Sequence, residues 1–199
     1  MSIPVITISR EYGSGGRAIG EKLAKELGIP FYNKELILMA AKESGLSEEY
    51  IKKAEQQKST SFLYGLYMGA QQLPMNDQIF LIQSKIIREI AEKGPCVIVG
   101  RCADYVLDGT ENLVRLFVYA EIEERINKVR EKGYFPEEDI LKNIKRIDRE
   151  RRDYYRYYTG KSWENLENYD LMINTTKLSY DDMVECVVDY LKMRGILAK

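Results

Sequence analysis

The segment from Val5 to Leu27 constrains this chain more than any other. A short β-branched run, Pro4-Val5-Ile6-Thr7-Ile8-Ser9, leads straight into Arg10-Glu11-Tyr12-Gly13-Ser14-Gly15-Gly16-Arg17-Ala18. Apolar residues then return at Ile19, Leu23, Ala24 and Leu27, the spacing of one helix face, before Gly28 and Pro30 stop it. This order predicts a buried strand, a glycine-rich turn and a helix from about Arg17. Glycines let the backbone turn left-handed and come close to a ligand. Successive amides then form an anion nest, and the helix adds its positive end. With Arg10 and Arg17 bracketing the turn, the expected ligand is phosphate, held by Arg10, Gly13, Ser14, Gly15, Gly16, Arg17 and Ala18. The plainer alternative is a turn that only tightens a strand–helix connection. The pattern G-x-x-x-x-G-K-[ST] is not met: aligned on its last glycine it meets Glu11, Gly16, Arg17 and Ala18, and Ala18 has no hydroxyl for Mg²⁺.

The rest of the chain repeats the alternation. Phe31-Tyr32, Cys96 to Gly100, Leu113 to Tyr119 and Leu171 to Asn174 read as strands. Helical spacing covers 34–42, 77–92, 121–132, 137–158 and 180–194. Residues 44–76 read as an insertion beside the core, with a polar helix over 48–57, a Ser59–Ser61 patch and a Tyr/Gly/Met-rich stretch. Strands alternating with helices predict a parallel sheet covered on both faces. A length of 199 residues, 45% of them hydrophobic, suits one domain over 1–199.

Composition narrows the chemistry. There is no histidine, so a Ser-His-Asp or Cys-His hydrolase is excluded, as is any metal site built on imidazole. Cys96, Cys102 and Cys186 have no paired spacing, which predicts reduced, mostly buried thiols of a cytoplasmic protein. Met1-Ser2-Ile3-Pro4 does not open a secretory signal, and no apolar run approaches the roughly 18 residues of a membrane span.

The net charge of −1 conceals a split. Lys142, Lys145, Arg146, Arg149, Arg151, Arg152, Arg156 and Lys161 stand against Asp148, Glu150 and Asp153, a local net of +5 that leaves −6 for the remainder. Arg149, Arg152 and Arg156 fall on one helix face, and Arg146 extends the row. Such a row suits a mobile helix closing over polyphosphate, where the protein acts by positioning and neutralising charge. The alternative is a solvated face in which Asp148 pairs with Arg151 or Arg152. The negative remainder argues against long nucleic acids. Gly100-Arg101 follows a predicted strand, the end at which open α/β sheets bind ligands. Asp104 lies one turn on, either as a ligand group or as the partner of Arg101. Tyr154 to Tyr158 suit an interface or helix packing more than base stacking.

These residues resemble the cytidylate kinase-like proteins, relatives of bacterial cytidylate kinase among the P-loop nucleoside monophosphate kinases. The resemblance rests on Ile6 to Arg17, Gly28 to Ile37, Gly94 to Asp104 and the Asp148 to Lys161 segment, and it covers nearly the whole chain. It implies a three-layer α/β P-loop sandwich with a central parallel sheet of about five strands, a small monophosphate-binding insertion and a helical lid at about 142–161. It implies ATP as co-substrate with Mg²⁺, CMP or dCMP as acceptor, and a monomer or homodimer acting on small nucleotides, away from membranes. By the same likeness, Arg17, Arg146, Arg149 and Arg152 act catalytically, and Lys34, Arg101, Asp104 and Arg151 bind substrate. The relatives' acidic residue before Gly-Arg is Val99 here, so with Ala18 two usual supports for Mg²⁺ are absent. Glu11, Asp104 and Asp148 are the carboxylates left to hold metal-bound water. The alternatives are a nucleotide-binding regulatory protein that keeps the fold without transfer, and a kinase with another acceptor.

Overall fold

The β-branched runs become strands: β1 (Val5–Arg10), β2 (Phe31–Tyr32), β3 (Cys96–Val99), β4 (Leu113–Tyr119) and β5 (Leu171–Asn174). In this computed structural model residues 4–33, 35, 36, 39 and 74–197 are described. The expected helices over 34–42 and 48–57 fall wholly or largely outside that set. So do Lys34 and nearly all of the expected insertion at 44–76. Sheet order is β2-β3-β1-β4-β5. β1 pairs in parallel with β3 on one side and β4 on the other, and β4 pairs in parallel with β5.

The helices are α1 (Gly16–Leu27), α2 (Met75–Lys93), the one-turn α3 (Ala103–Val106), α4 (Ile122–Lys132), α5 (Ile140–Thr159) and α6 (Tyr180–Met193). Where one helix over 137–158 is expected, Pro136 is followed by a short 3₁₀ turn, Glu137–Asp139, before α5 begins. Proline fixes its own backbone and has no N–H to extend a helix backward. At α6, Ser179 and Asp182 form a reciprocal capping box, which fixes the start of that helix.

The chain divides into two units, residues 1–31 with 94–199, and residues 32–93. α2 is the described helix of the second. In the first, the period-two alternation of a strand decides which residues meet which layer. Ile6 and Ile8 of β1, Val97 and Val99 of β3, and Val114, Leu116 and Val118 of β4 face one side. There they pack with Ile19, Leu23 and Ala24 of α1 and Met183, Val187 and Leu191 of α6. Phe117 points the other way and meets Trp163 and Tyr169 at ring-centroid distances of 5.2 and 4.9 Å. Both faces of the sheet are therefore covered, as a parallel sheet requires. Cys96 and Cys102 are buried thiols and Cys186 is exposed. No helix among the described residues is long and apolar enough to cross a membrane.

Candidate phosphate-binding site

β1 ends at Arg10, and the turn to α1 is moulded from three sides. Gly13 and Gly15 take φ of +82° and +88°, which favours glycine. A Cβ on Gly13 would come 3.0 Å from the Arg125 carbonyl oxygen and 3.1 Å from Val129, both on α4. One on Gly15 would come 2.5 Å from the ring of Tyr180 on α6. Ser14 is buried, and its hydroxyl lies 2.9 Å from the Glu11 carbonyl and 3.1 Å from that of Val118. Its own carbonyl accepts from Thr175 Oγ1 at 2.8 Å. Ser14 thus ties the turn to β4 through its hydroxyl and to Thr175, just past β5, through its carbonyl. Gly15 is the N-cap of α1 and offers no side-chain cap, so first-turn amides of that helix are left to an external acceptor.

Arg125 of α4 organises the other wall, although its sequence context reads only as a charged helix. Only 6% exposed, it reaches three groups at once. Its Nη1 pairs with Glu11 Oε2 at 2.9 Å, its Nε donates to the Tyr12 carbonyl at 2.9 Å, and its Nη2 pairs with Asp148 Oδ2. Asp148 Oδ1 accepts the Tyr12 N–H at 2.7 Å. Glu11 Oε2 also accepts the Ala120 N–H at 3.1 Å. Burial raises the Glu11 carboxyl above its ordinary range, against the pull of Arg125. Arg151, one turn beyond Asp148, donates to the Arg10 carbonyl at 2.8 Å and stands over the Tyr12 ring. α5 is thus tied to the turn through Asp148 and Arg151.

The arginines of α5 divide by face. Ile140, Ile144, Asp148 and Tyr155 form its buried stripe, and Arg151 lies along it. Arg149, Arg152 and Arg156 lie exposed on the other side, with Arg152 paired to Glu164 at 2.6 Å. Arg146 pairs with Glu150 at 2.8 Å and contacts Asn143. Of the arginines expected to line the lid, Arg151 is the one that hydrogen-bonds to the glycine turn.

β3 ends beside β1 and enters a second left-handed turn. Gly100, Arg101 and Cys102 have φ of +81°, +61° and +54°. Two consecutive non-glycine residues in that region carry backbone strain, held by the structure around them. Asp104 follows on α3, buried at 4% exposure. Its Oδ2 accepts from Tyr155 Oη at 2.7 Å, so its partner is the long helix rather than Arg101. Burial raises the Asp104 carboxyl, with the Tyr155 hydrogen bond opposing. Tyr155 of the tyrosine run thus reaches the site through Asp104. Tyr154 and Tyr157 pack on Tyr158 at centroid distances of 4.7 and 4.8 Å.

Residues 5–177 match the cytidylate kinase-like family. The chain belongs to that family. It is similar to the cytidylate kinase of Pyrococcus horikoshii, 29% identical over 197 residues, which span 96% of this chain and 91% of that protein. The cytidylate kinase of Methanopyrus kandleri is 26% identical over 188 residues, 89% of this chain and 88% of its own. Among solved structures, an uncharacterized protein from Eubacterium ventriosum has a TM-score of 0.73 at 27% identity, covering 95% of this chain and 98% of its own. Shikimate kinase from Acinetobacter baumannii, in complex with shikimate, has a TM-score of 0.55 at 14% identity, covering 99% and 96%, a likeness of fold alone.

Membership in a kinase-like family implies a phosphotransferase with ATP as co-substrate, and such enzymes ordinarily use a divalent metal. The described residues do not form a cage for one. No three acidic side chains converge among them. Glu11 and Asp148 are both committed to Arg125, and Asp104 is buried against Tyr155. Ala18 brings no oxygen. The protein side of this kinase-like site is cationic, built from guanidinium groups and amides.

Proposed function

We propose that the protein transfers a phosphoryl group from ATP to a nucleoside monophosphate, CMP or dCMP. One observation carries the reading. β1 and β3 are direct neighbours, each runs into a left-handed glycine turn, and each brings an arginine to its end: Arg10 and Arg101. Two phosphate-bearing ligands at these adjacent turns would lie side by side at the carboxyl edge of the sheet. In this reading the amides of residues 13–16 and the start of α1 cradle the donor phosphates, and Arg101 receives the acceptor. Asp104 positions Arg101 through α3 and Tyr155, without touching substrate. Arg151 neutralises charge at the turn. Residues 142–161 are the lid segment of this reading; α5 is already held to the turn through Asp148 and Arg151, so Arg146, Arg149 and Arg152 on its outward side act on an approaching polyanion at longer range.

The acceptor's phosphate oxygen attacks the terminal phosphorus of ATP as the bond to the ADP oxygen breaks. That oxygen is already anionic, so no strong base is needed, in keeping with a chain without histidine. The test is ADP release from ATP with each common monophosphate. CMP or dCMP is expected to support turnover, and a panel with no turnover overturns the reading. A second reading, nucleotide binding without transfer, is favoured by the engaged carboxylates and Ala18. It predicts ATP affinity by calorimetry that does not change when Mg²⁺ is removed.

A further inference from the structure

The helix start changes the register of the phosphate turn. α1 begins at Gly16 with Gly15 as its N-cap. Counted with Gly15 as the last glycine, G-x-x-x-x-G-K-[ST] puts Arg10 at the first glycine, Gly16 at the lysine and Arg17 at the hydroxyl residue. The geometry fits an exchange of side chains between the first and the lysine positions. A Cβ on Gly16 would come 2.6 Å from Arg10 Cβ and 3.1 Å from Arg10 Cγ. The stem of Arg10 therefore fills the space that a side chain at Gly16 would need. Arg17, the next residue, is turned about 100° round the helix. Its side chain is 55% exposed, and its Nε pairs with Glu21 Oε1 at 2.8 Å.

The guanidinium of Arg10 carries the second observation. It lies against Gly100, where a Cβ would overlap it. Among the described residues no carboxylate is within ion-pair distance of it. Its charged surroundings are Arg151, Arg101 and Arg17, with Asp148 as the opposing charge. Asp148 is already engaged by Arg125 and the Tyr12 N–H. Burial together with Arg151 and Arg101 pushes Arg10 well below the usual arginine range. An arginine keeps its proton, so this is the cost of holding its charge without an anion. An arginine in that position, between the turn after β1 and the turn after β3, is an incomplete ion pair.

We propose that Arg10 meets the transferring phosphoryl group, doing from the end of β1 what lysine does from the helix start in the usual phosphate loop, and that Arg17 stands outside the reaction. This rests on the phosphotransfer reading above and assigns its central cation. The experiment compares Arg10→Gly, Arg17→Met and the exchange Arg10→Gly/Gly16→Lys. Each is assayed for ADP formation from ATP and CMP, and for calorimetric affinity for inorganic tripolyphosphate. Arg10→Gly is expected to lose about 100-fold or more in kcat, the scale of losing one transition-state donor. It also loses about tenfold in tripolyphosphate affinity, as expected for roughly 1.4 kcal/mol. Arg17→Met stays close to wild type in both. The exchange regains about tenfold of the lost kcat, since Gly16 has a helical backbone and, once the Arg10 side chain is gone, the nearest atom left to a Cβ there is Val118 Cβ, at 3.3 Å.

Loss in Arg17→Met equal to that in Arg10→Gly overturns the proposal, as does an Arg10→Gly protein that keeps its tripolyphosphate affinity. If wild type turns over no monophosphate, the phosphotransfer reading fails, while the tripolyphosphate series still decides which arginine binds. Arg10→Met, which keeps the stem, separates site from scaffold. It is expected to melt at or above wild type without ligand and to lose the rise that tripolyphosphate gives wild type. A melting point several degrees lower would assign Arg10 to the scaffold and overturn the proposal.

Discussion

The inward and outward faces of α5 carry the same kinds of residue and use them in opposite ways. Inward, Asp148 and Arg151 are joined to Arg125, to the Tyr12 N–H and to the Arg10 carbonyl, all close to the phosphate turn. Outward, Arg146 and Arg152 each pair with one exposed carboxylate. In water, such an outer pair exchanges solvation for a weak contact and contributes about 0.2–1 kcal/mol. Inside, removing one partner leaves another charge buried and alone. The inward face therefore shapes the turn, and the outward face carries the pairs that can exchange partners at little cost.

The largest effect expected from this contrast is at Arg125. Arg125→Met leaves Glu11 without its cation and Asp148 with Arg151 alone, at 4.0 Å, and urea unfolding should show a loss of about 3–5 kcal/mol. A loss below about 1 kcal/mol would break the distinction between the faces. Gly15→Ala comes next. Its φ of +88° and the Tyr180 ring 2.5 Å from the added methyl should cost about 1–3 kcal/mol in the same measurement.

Tyr155→Phe removes the donor to Asp104 at the far end of the stripe and should cost about 1–2 kcal/mol. Asp104 also sharpens the comparison through pH. Its folded carboxyl is raised by burial, so the folded protein binds this proton more readily than the unfolded chain. Stability from this group rises as pH falls through the window above the ordinary carboxylate range, and is lost as pH rises. In urea midpoints taken across that window, wild type should weaken relative to Asp104→Asn with increasing pH. A flat difference would remove Asp104 as a titrating group. Smallest is Arg152→Ala, expected to change stability by less than about 1 kcal/mol.

Much of this was legible in the sequence, and for a physical reason. Strand and helix periods are local, so Val5–Arg10, Leu113–Tyr119 and the α1 face declared themselves. The glycine turn was visible because few other residues accept a φ near +85°. The row Arg149, Arg152, Arg156 was visible as one face, but not as the outer one. The inner stripe begins with Ile140 and Ile144 and continues with Asp148, Arg151 and Tyr155, which do not look like a buried surface. Asp148 does pair with its helix neighbour Arg151, at 4.0 Å, as the spacing suggests, but its short contacts are to residues 23 and 136 positions away, which the spacing does not reveal. Arg125 gave no signal, since its three contacts lie on segments that only the fold brings together. The register of the turn depended on where α1 starts, and Gly16, with no side chain to pattern, does not reveal it.

The mould around the turn has a thermodynamic consequence. α4 backs Gly13, α6 backs Gly15 and Arg10 fills the space at Gly16, so the backbone of the turn is held in place without an anion. Little backbone remains to be ordered, and little apolar surface remains to be covered there. Tripolyphosphate should therefore bind with a heat-capacity change near zero and a small entropy penalty, leaving the affinity to vary with salt far more than with temperature.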